Sequence, residues 1–249
     1  MTDRPDLVTK PDGFLGGRVR LHQLATGYRA GMDAALLAAA LDLKPGMRAA
    51  EFGCGAGAAL LSAAVLYPDS DLIGVEREAD AAELARRNVA LNGLEDRVRI
   101  DEVDALVWRG ARELDAVFFN PPFFDDPGSL RAPKDEKAPA WMSEAGLGAW
   151  IDAGLKRLRS GGQITLIQRA DRLDDILAAL IGRAGAVGVR PIQSRVGAPA
   201  KRVLVQATKA AKGPLQLMPA VILHRDGEGR FTDEADALFS GAARLAMRA

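Results

Sequence analysis

The chain has 249 residues, of which 48% are hydrophobic, and its 33 basic and 33 acidic residues give a formal net charge of zero. This length fits one α/β domain with appendages, and zero net charge alone argues against a nucleic-acid partner. The single cysteine, Cys54, excludes an internal disulfide, and one cysteine with two histidines argues against a structural zinc site, so we expect no metal. No segment approaches the roughly 20 apolar residues of a membrane helix, and the N-terminus has no apolar run behind basic residues. We therefore expect a soluble cytoplasmic protein.

The first half of the chain alternates predicted strands and helices. Residues 1–14 are expected to form a loose terminus and residues 16–24 an exposed strand or hairpin. Asp33 is the predicted N-cap of a helix over residues 34–43. The next predicted elements are a strand at 48–52, a glycine turn at 53–57, a helix at 58–66, a strand at 71–76, a helix at 79–92, and strands at 98–103 and 114–119.

The second half begins with residues 124–141, which are rich in proline and charge and lack periodicity, as a functional loop or a disordered segment would. A helix at 144–158, a turn at Gly161–Gly162 and a fifth strand at 163–167 follow. Asp171 is the predicted cap of an amphipathic helix that begins near Leu173. Strands at 187–193 and 203–208 form an antiparallel pair, and a short apolar run at 220–223, a turn at 226–229 and a helix from about residue 233 come after it. The pattern predicts an α/β fold with a doubly wound, mostly parallel, seven-stranded sheet closed by an antiparallel hairpin.

Charge is segregated along the chain despite the neutral total. From Ile176 to Arg225 there is no Asp or Glu, and the basic residues there are Arg183, Arg190, Arg195, Lys201, Arg202, Lys209, Lys212 and Arg225. If they share a face beside the active site, they would bind a phosphate backbone. The alternative, which we weigh equally, is that they protect edge strands against aggregation.

The segment Asn120-Pro121-Pro122-Phe123 ends an apolar strand. Two prolines cannot continue a sheet ladder, so the strand should stop at Phe119 and present Asn120 at its carboxyl end, where open α/β sheets bind ligands. The Asn120 side-chain oxygen and the Pro121 carbonyl would accept the two hydrogens of a planar nitrogen, and Phe123 would stack on the substrate. The alternative is a plain strand-terminating turn with Phe123 in the core.

The glycine turn allows the backbone to approach a ligand closely at three positions: Gly53, Gly55 and Gly57. Residues 53–58 also satisfy the dinucleotide pattern G-x-G-x-x-A, with Glu76 at the spacing of a ribose-binding acid. The turn could therefore hold either a dinucleotide or S-adenosylmethionine. Glu51 favours S-adenosylmethionine, because a carboxylate there would repel the pyrophosphate of a dinucleotide and attract the positive charges of S-adenosylmethionine.

Taken in order, Glu51, the glycine turn, Glu76, Asp104 and the Asn120–Phe123 loop resemble the motifs of class I S-adenosylmethionine-dependent methyltransferases, over residues 47–123. The resemblance implies a Rossmann-like fold in which Gly53 and Gly55 pass under the methionine part of the cofactor. It also implies that Glu76 binds the ribose hydroxyls and that Asp104 accepts from the adenine amino group. The loop formed by Asn120, Pro121, Pro122 and Phe123 resembles the motif of those class I enzymes that methylate planar nitrogens. Their targets are adenine N6, guanine N2 and glutamine side chains.

Residues 16–37 resemble the opening of the bacterial tRNA-valine adenine-N6 methyltransferase family. This resemblance implies that residues 1–46 cover the cofactor site of a catalytic domain at 47–249, with Tyr28, Arg29 and Asp33 near the methionine end. We therefore predict an N-methyltransferase acting on adenine N6 in RNA, with tRNA as the leading candidate. The alternatives are glutamine N5 methylation of a protein, guanine N2 methylation of rRNA, an NAD-dependent oxidoreductase and a non-catalytic binding module.

Overall fold

The computed structural model describes residues 11–23, 31–121, 146–227 and 229–249. Its helices are α1 (Met32–Ala39), α2 (Ala58–Leu66), α3 (Ala79–Leu91), α4 (Leu147–Arg157), α5 (Leu173–Leu180) and α6 (Asp233–Phe239), with a 3-10 turn at Ala170–Arg172. Its strands are β1 (Asp12–Phe14), β2 (Val19–Leu21), β3 (Arg48–Phe52), β4 (Asp71–Glu76), β5 (Val98–Glu102), β6 (Leu114–Phe119), β7 (Leu158–Arg169), β8 (Ala184–Gln193), β9 (Arg202–Lys209), β10 (Gln216–Leu217) and β11 (Val221–Ile222). No helix in these ranges is long and apolar enough to cross a bilayer.

The described residues form a main sheet of nine strands in the order β10-β8-β9-β7-β6-β3-β4-β5, with β11 also paired to β8. Strands β3 to β7 are mutually parallel, and β9 runs antiparallel to both β7 and β8. The predicted doubly wound, mostly parallel sheet with a closing antiparallel pair is therefore confirmed. Strands β3 to β9 are the seven predicted, and β10 and β11 add to the edge at β8. With two residues each, these additions are too short to produce an alternating pattern.

The two faces of the sheet are covered by different helices. Helices α1, α2 and α3 and the β1–β2 hairpin pack on one face, whereas α4 and α5 pack on the other. Helix α2 is buried on nearly every side, which explains why its sequence is almost entirely Ala and Leu.

Helix α1 differs from the prediction at both ends. It begins after Gly31, and Asp33 lies within its first turn instead of capping it. The Asp33 carboxylate is 3.3 Å from the Arg202 guanidinium, so it is engaged by a residue remote in sequence. The helix stops at Ala39 rather than at Leu43, although Leu41 and Leu43 remain buried.

Two predictions around β7 are wrong. The strand runs through Gly161 and Gly162 without a turn, and the glycines coincide with a register shift against β6, with Gly161 at φ +77°. Asp171 pairs with Arg169 and does not cap α5, which begins after Arg172.

The N-terminal hairpin also corrects the prediction. Residues 12–14, expected to be loose, pair with β2, and Val19 and Leu21 are fully buried rather than exposed. An isolated three-residue strand has too little apolar area to be stable, so this order depends on packing against α2 and α3.

Candidate active site

The carboxyl ends of four adjacent strands meet at one edge of the sheet. Phe52 at the end of β3 is level with Val75 on β4 and with Phe119 on β6. Gly53, Glu76 and Asn120 therefore follow at the same height, and Asp104 follows β5 beside them. The structure thus brings together the residues that the sequence placed at successive strand ends.

The glycine turn is held against β4 by backbone hydrogen bonds. The Gly53 N–H donates to the Val75 carbonyl at 2.7 Å, and the Gly55 N–H donates to Glu76 Oε2 at 2.9 Å. Gly53, Gly55 and Gly57 all have positive φ angles, +65°, +53° and +92°. Among the residues that the structure describes, no heavy atom lies within 4 Å of a Cβ built on Gly55, so the described part of the chain leaves this side of the turn open to a ligand.

Glu51 is the most buried acid among the site residues that the structure describes. Its side chain is only 4% exposed, and its Oε2 atom is buried with no hydrogen-bond partner in the described part of the chain. Burial raises the pKa of Glu51 well above its usual range, the nearby Glu76 charge raises it further, and the Leu60 backbone N–H opposes both. A desolvated carboxyl group with one oxygen unbonded is suited to the ammonium group of S-adenosylmethionine, because that cation would favour its ionised form, whereas a phosphate would be repelled.

Glu76 is already bound by the backbone. Its Oε1 accepts from the N–H groups of Arg77 and Glu78 at 2.8 and 2.9 Å, and its Oε2 accepts from Gly55. A carboxylate offers about four acceptor positions, so about one remains for a ligand. Glu76 can therefore accept one ribose hydroxyl as it stands.

Asp104 is half-buried and caps the turn that follows β5. Its Oδ1 accepts from the Leu106 N–H at 2.8 Å, which is the ordinary structural role of a strand-end Asp. The second carboxylate oxygen is the one that would accept from the adenine amino group, and this role stays a prediction.

The acceptor loop begins directly beside the glycine turn. Strand β6 ends at Phe119 as the prolines predicted, Asn120 is half-buried, and Pro121 is buried. Pro122 and Phe123, Tyr28 and Arg29, and the 124–141 loop lie outside the described residues, so their roles remain predictions.

Trp150 on α4 lies at the candidate site and was not predicted from the sequence. A Cβ added to Gly53 would lie 2.9 Å from Trp150 Cη2, so the indole rests directly on the glycine turn. The half-buried ring also contacts Phe119, with centroids 5.8 Å apart. It completes a row of four rings beneath the strand ends, formed by Trp108, Phe52, Phe119 and Trp150. The available signal was an aromatic residue in the first helical turn after the 124–141 segment.

Asn88 connects the N-terminal hairpin to the site. Its amide exchanges hydrogen bonds of 2.9 Å with the backbone of His22 and also donates to the Ala56 carbonyl in the glycine turn. Asn92, one helical turn later, makes the same pair of bonds with Arg20. Asn88 is fully buried on α3, and only the tertiary structure shows that its amide joins the hairpin to the glycine turn.

Comparison with known proteins identifies a family and several relatives. The model of the methyltransferase small domain family matches residues 29–188. The tRNA1(Val) (adenine(37)-N6)-methyltransferase of Bacteroides thetaiotaomicron is 26% identical over 205 residues, which cover 80% of this chain and 86% of that protein. The enzyme of the same name from Porphyromonas gingivalis is 31% identical over 175 residues, 66% and 68% of the two chains.

Two further relatives extend the comparison. Ribosomal RNA small subunit methyltransferase C of Stutzerimonas stutzeri is 42% identical over 125 residues, 49% of this chain, and the match spans 33% of that protein's length. The crystal structure of a predicted O-methyltransferase from Agrobacterium tumefaciens superposes with a TM-score of 0.72 at 29% identity, covering 86% of this chain and 98% of that one. The chain therefore belongs to the methyltransferase small domain family and is an S-adenosylmethionine-dependent methyltransferase with a Rossmann-like fold.

Proposed function

We propose that this methyltransferase acts on adenine N6 in RNA, with tRNA as the leading substrate. The observation that carries the proposal is the level pairing of Phe52 with Phe119, which places the Asn120–Pro121 acceptor pair next to the glycine turn. A methyl donor on that turn and a planar nitrogen at Asn120 would then lie side by side at one edge of the sheet.

The methyl donor would be bound by three acidic side chains and by the glycine turn, a combination that suits a positively charged nucleoside. Bound S-adenosylmethionine supplies an electrophilic methyl group. Glu51 would pair with its ammonium, Glu76 would accept from one ribose hydroxyl, and Asp104 would accept from the adenine amino group. Gly55 provides the open backbone over which the methionine part would lie.

The acceptor side orients a weak nucleophile. An exocyclic amino nitrogen attacks poorly because its lone pair is delocalised into the ring. The Asn120 side-chain oxygen and the Pro121 carbonyl would accept its two hydrogens, favour tetrahedral geometry and stabilise the developing positive charge. Phe123 would stack on the base, which must be unstacked from the RNA, so a single-stranded loop is the expected target.

The relatives support RNA over protein as substrate. Those from B. thetaiotaomicron and P. gingivalis are named for adenine N6 in tRNA, and one from Caenorhabditis elegans is named an rRNA N6-adenosine-methyltransferase. Ribosomal RNA is the second candidate, because the S. stutzeri relative is named for it. Family membership excludes the NAD-dependent oxidoreductase considered from the sequence.

Asn120→Ala tests the acceptor role. We expect calorimetry to show unchanged S-adenosylmethionine affinity, while turnover falls about 100- to 1,000-fold, because one preorganised acceptor is lost from the transition state. Asn120→Asp is the matched control, since it keeps an acceptor oxygen at the same position and should retain more activity than the alanine variant.

The substrate is tested with labelled S-adenosylmethionine and three separate pools: unmodified tRNA transcripts, rRNA and protein extract. We expect label in N6-methyladenosine from the tRNA pool. Label in the protein pool alone would contradict an RNA substrate, and a fully active Asn120→Ala enzyme would contradict the proposed acceptor pair.

A further inference from the structure

The basic residues between Ile176 and Arg225 fall into groups with different surroundings. Four of them bind groups of the fold itself. These are Arg183 with Asp152, Arg190 with the Pro219 and Ala246 carbonyls, Lys209 with the Leu158 carbonyl, and Arg225 with Asp233. Their charges already serve the tertiary structure, so the stretch as a whole is not one nucleic-acid surface.

A second group lies at the active-site edge of the sheet. Strands β7 and β8 both run antiparallel to β9, so β8 ends at the same edge as β6 and β7. The β8–β9 loop, residues 194–201, therefore leaves the sheet at the edge where Asn120 lies. The Ala170 N–H donates to the Lys201 carbonyl at 3.2 Å, which fixes the end of this loop against the end of β7.

Four cations meet at this edge, which we call the basic edge: Arg169, Arg195, Lys201 and Arg202. Arg169 and Arg202 stand directly opposite each other in the β7–β9 register, an arrangement that is unfavourable for like charges. Each has an acid beside it, Asp171 for Arg169 and Asp33 for Arg202.

The remaining positive charge resides on the loop. Arg195 and Lys201 are exposed, and within the described ranges neither side chain makes a hydrogen bond or ion pair. Part of their position follows from the register: Phe119 is level with Leu166 on β7, and Arg169 lies three residues further along that strand. Measured along the strands at roughly 3.3 Å per residue, Arg169 lies about 10 Å beyond the level of Phe119, one strand away from β6. The Ala170–Lys201 hydrogen bond keeps Lys201 at that level, at the edge where the acceptor loop begins.

We propose that the β8–β9 loop binds the phosphate backbone of the substrate RNA through Arg195 and Lys201, next to the nucleotide held at Asn120. The inference rests on the proposed function. A polyanion is the complementary partner, because both cations are exposed and neither is paired with an acidic side chain of the described residues. The chain as a whole has zero net charge, so attraction to RNA has to come from a local group of cations such as this one. Arg202 is held by Asp33 and stabilises the start of α1, so it is a poor residue for a test.

The experiment compares charge reversal at the loop with charge reversal at the opposite edge. The test variant is Arg195→Glu/Lys201→Glu, and the control is Lys212→Glu. Lys212 belongs to the same acid-free stretch, is exposed and has no side-chain partner within the described ranges, but it follows the far end of β9. The probe is an unmodified valine tRNA transcript, titrated at several salt concentrations.

We expect the double variant to lose at least tenfold in tRNA affinity and to flatten the slope of log Kd against log salt by about 1.4 to 1.8, because two phosphate contacts are lost. The Lys212→Glu protein should bind as the wild type does. S-adenosylhomocysteine affinity, measured by calorimetry, should be unchanged in both variants. Equal losses in test and control would overturn the inference, as would an unchanged slope in the double variant.

A milder pair, Arg195→Gln/Lys201→Gln, keeps the test decisive if the reversed variant fails to fold. It should lower the salt slope in the same direction.

The inference and the proposed function fail separately. If the wild type methylates protein and no RNA, the proposed function is wrong; if it methylates tRNA with the same kcat/KM as the double variant, only the role of the loop is wrong.

Discussion

Glu51→Gln removes an ionisable group from a site where the fold opposes its charge. The side chain is 4% exposed, and its pKa is raised well above the ordinary value of 4.5. The native protein therefore keeps a proton that the unfolded chain releases once the pH exceeds that ordinary value. Stability contributed by this group is lost as pH rises from about 4.5 towards the raised pKa of Glu51.

The magnitude follows from the linkage of one proton. Where native and unfolded states differ by a full proton, the free energy of unfolding changes by about 1.4 kcal/mol per pH unit. The Gln variant lacks this dependence, so its stability relative to wild type should increase with pH across that window. Denaturant unfolding of both proteins between pH 5 and pH 8 measures the difference. Glu83→Gln, at an exposed ion pair on α3, is the control and should show no such trend.

The Glu51→Gln variant should bind the cofactor more weakly, although its stability relative to wild type increases with pH. A hydrogen bond to a charged group contributes about 1.5 to 3 kcal/mol, so Glu51→Gln should weaken S-adenosylmethionine binding about 10- to 150-fold. Calorimetry of the wild type in buffers of different ionisation enthalpy should also show proton release on binding, because the ammonium favours the ionised carboxylate. A variant that is no more stable at pH 8 than at pH 5, relative to wild type, and that binds the cofactor normally would refute the reasoning.

The remaining predictions concern the glycine turn and the C-terminal helix. Gly53→Ala should lower stability by about 1 to 2 kcal/mol, since its φ of +65° disfavours a side chain and the new Cβ would meet the Trp150 ring. Adding Trp150→Leu should recover only part of the loss, and full stability of the single variant in denaturant unfolding would contradict this contact between Gly53 and Trp150. Thr232→Ala should cost about 1 kcal/mol, because the Thr232 hydroxyl caps α6 by accepting from the Ala235 N–H at 3.1 Å; a Thr232→Ser control should unfold close to wild type.

Local chemistry made the core of the site predictable. Asn120 could be assigned to a strand end because two prolines cannot extend a ladder, and β6 stops where they begin. Glu76 and Asp104 followed from the alternation of strands and helices, since parallel strands present their carboxyl ends at one edge. Local chemistry did not predict the roles of Asp33 and Asp171. Both were expected to cap helices, but their carboxylates bind arginine side chains instead of nearby backbone N–H groups.

The sequence by itself determined the order of the elements, the class of fold, the donor chemistry and the type of nitrogen that Asn120 would receive. Each depends on residue types at short spacing, such as a glycine turn after a strand or an acid at a strand end. The tertiary structure decided which charges are available and which rings meet, because those contacts join residues far apart in the chain. Arg202 meets Asp33 across 169 positions, and Trp150 covers Gly53 from a helix on the other side of the acceptor loop. Only the sheet register separates Lys201, at the edge where Asn120 lies, from Lys212 at the opposite edge.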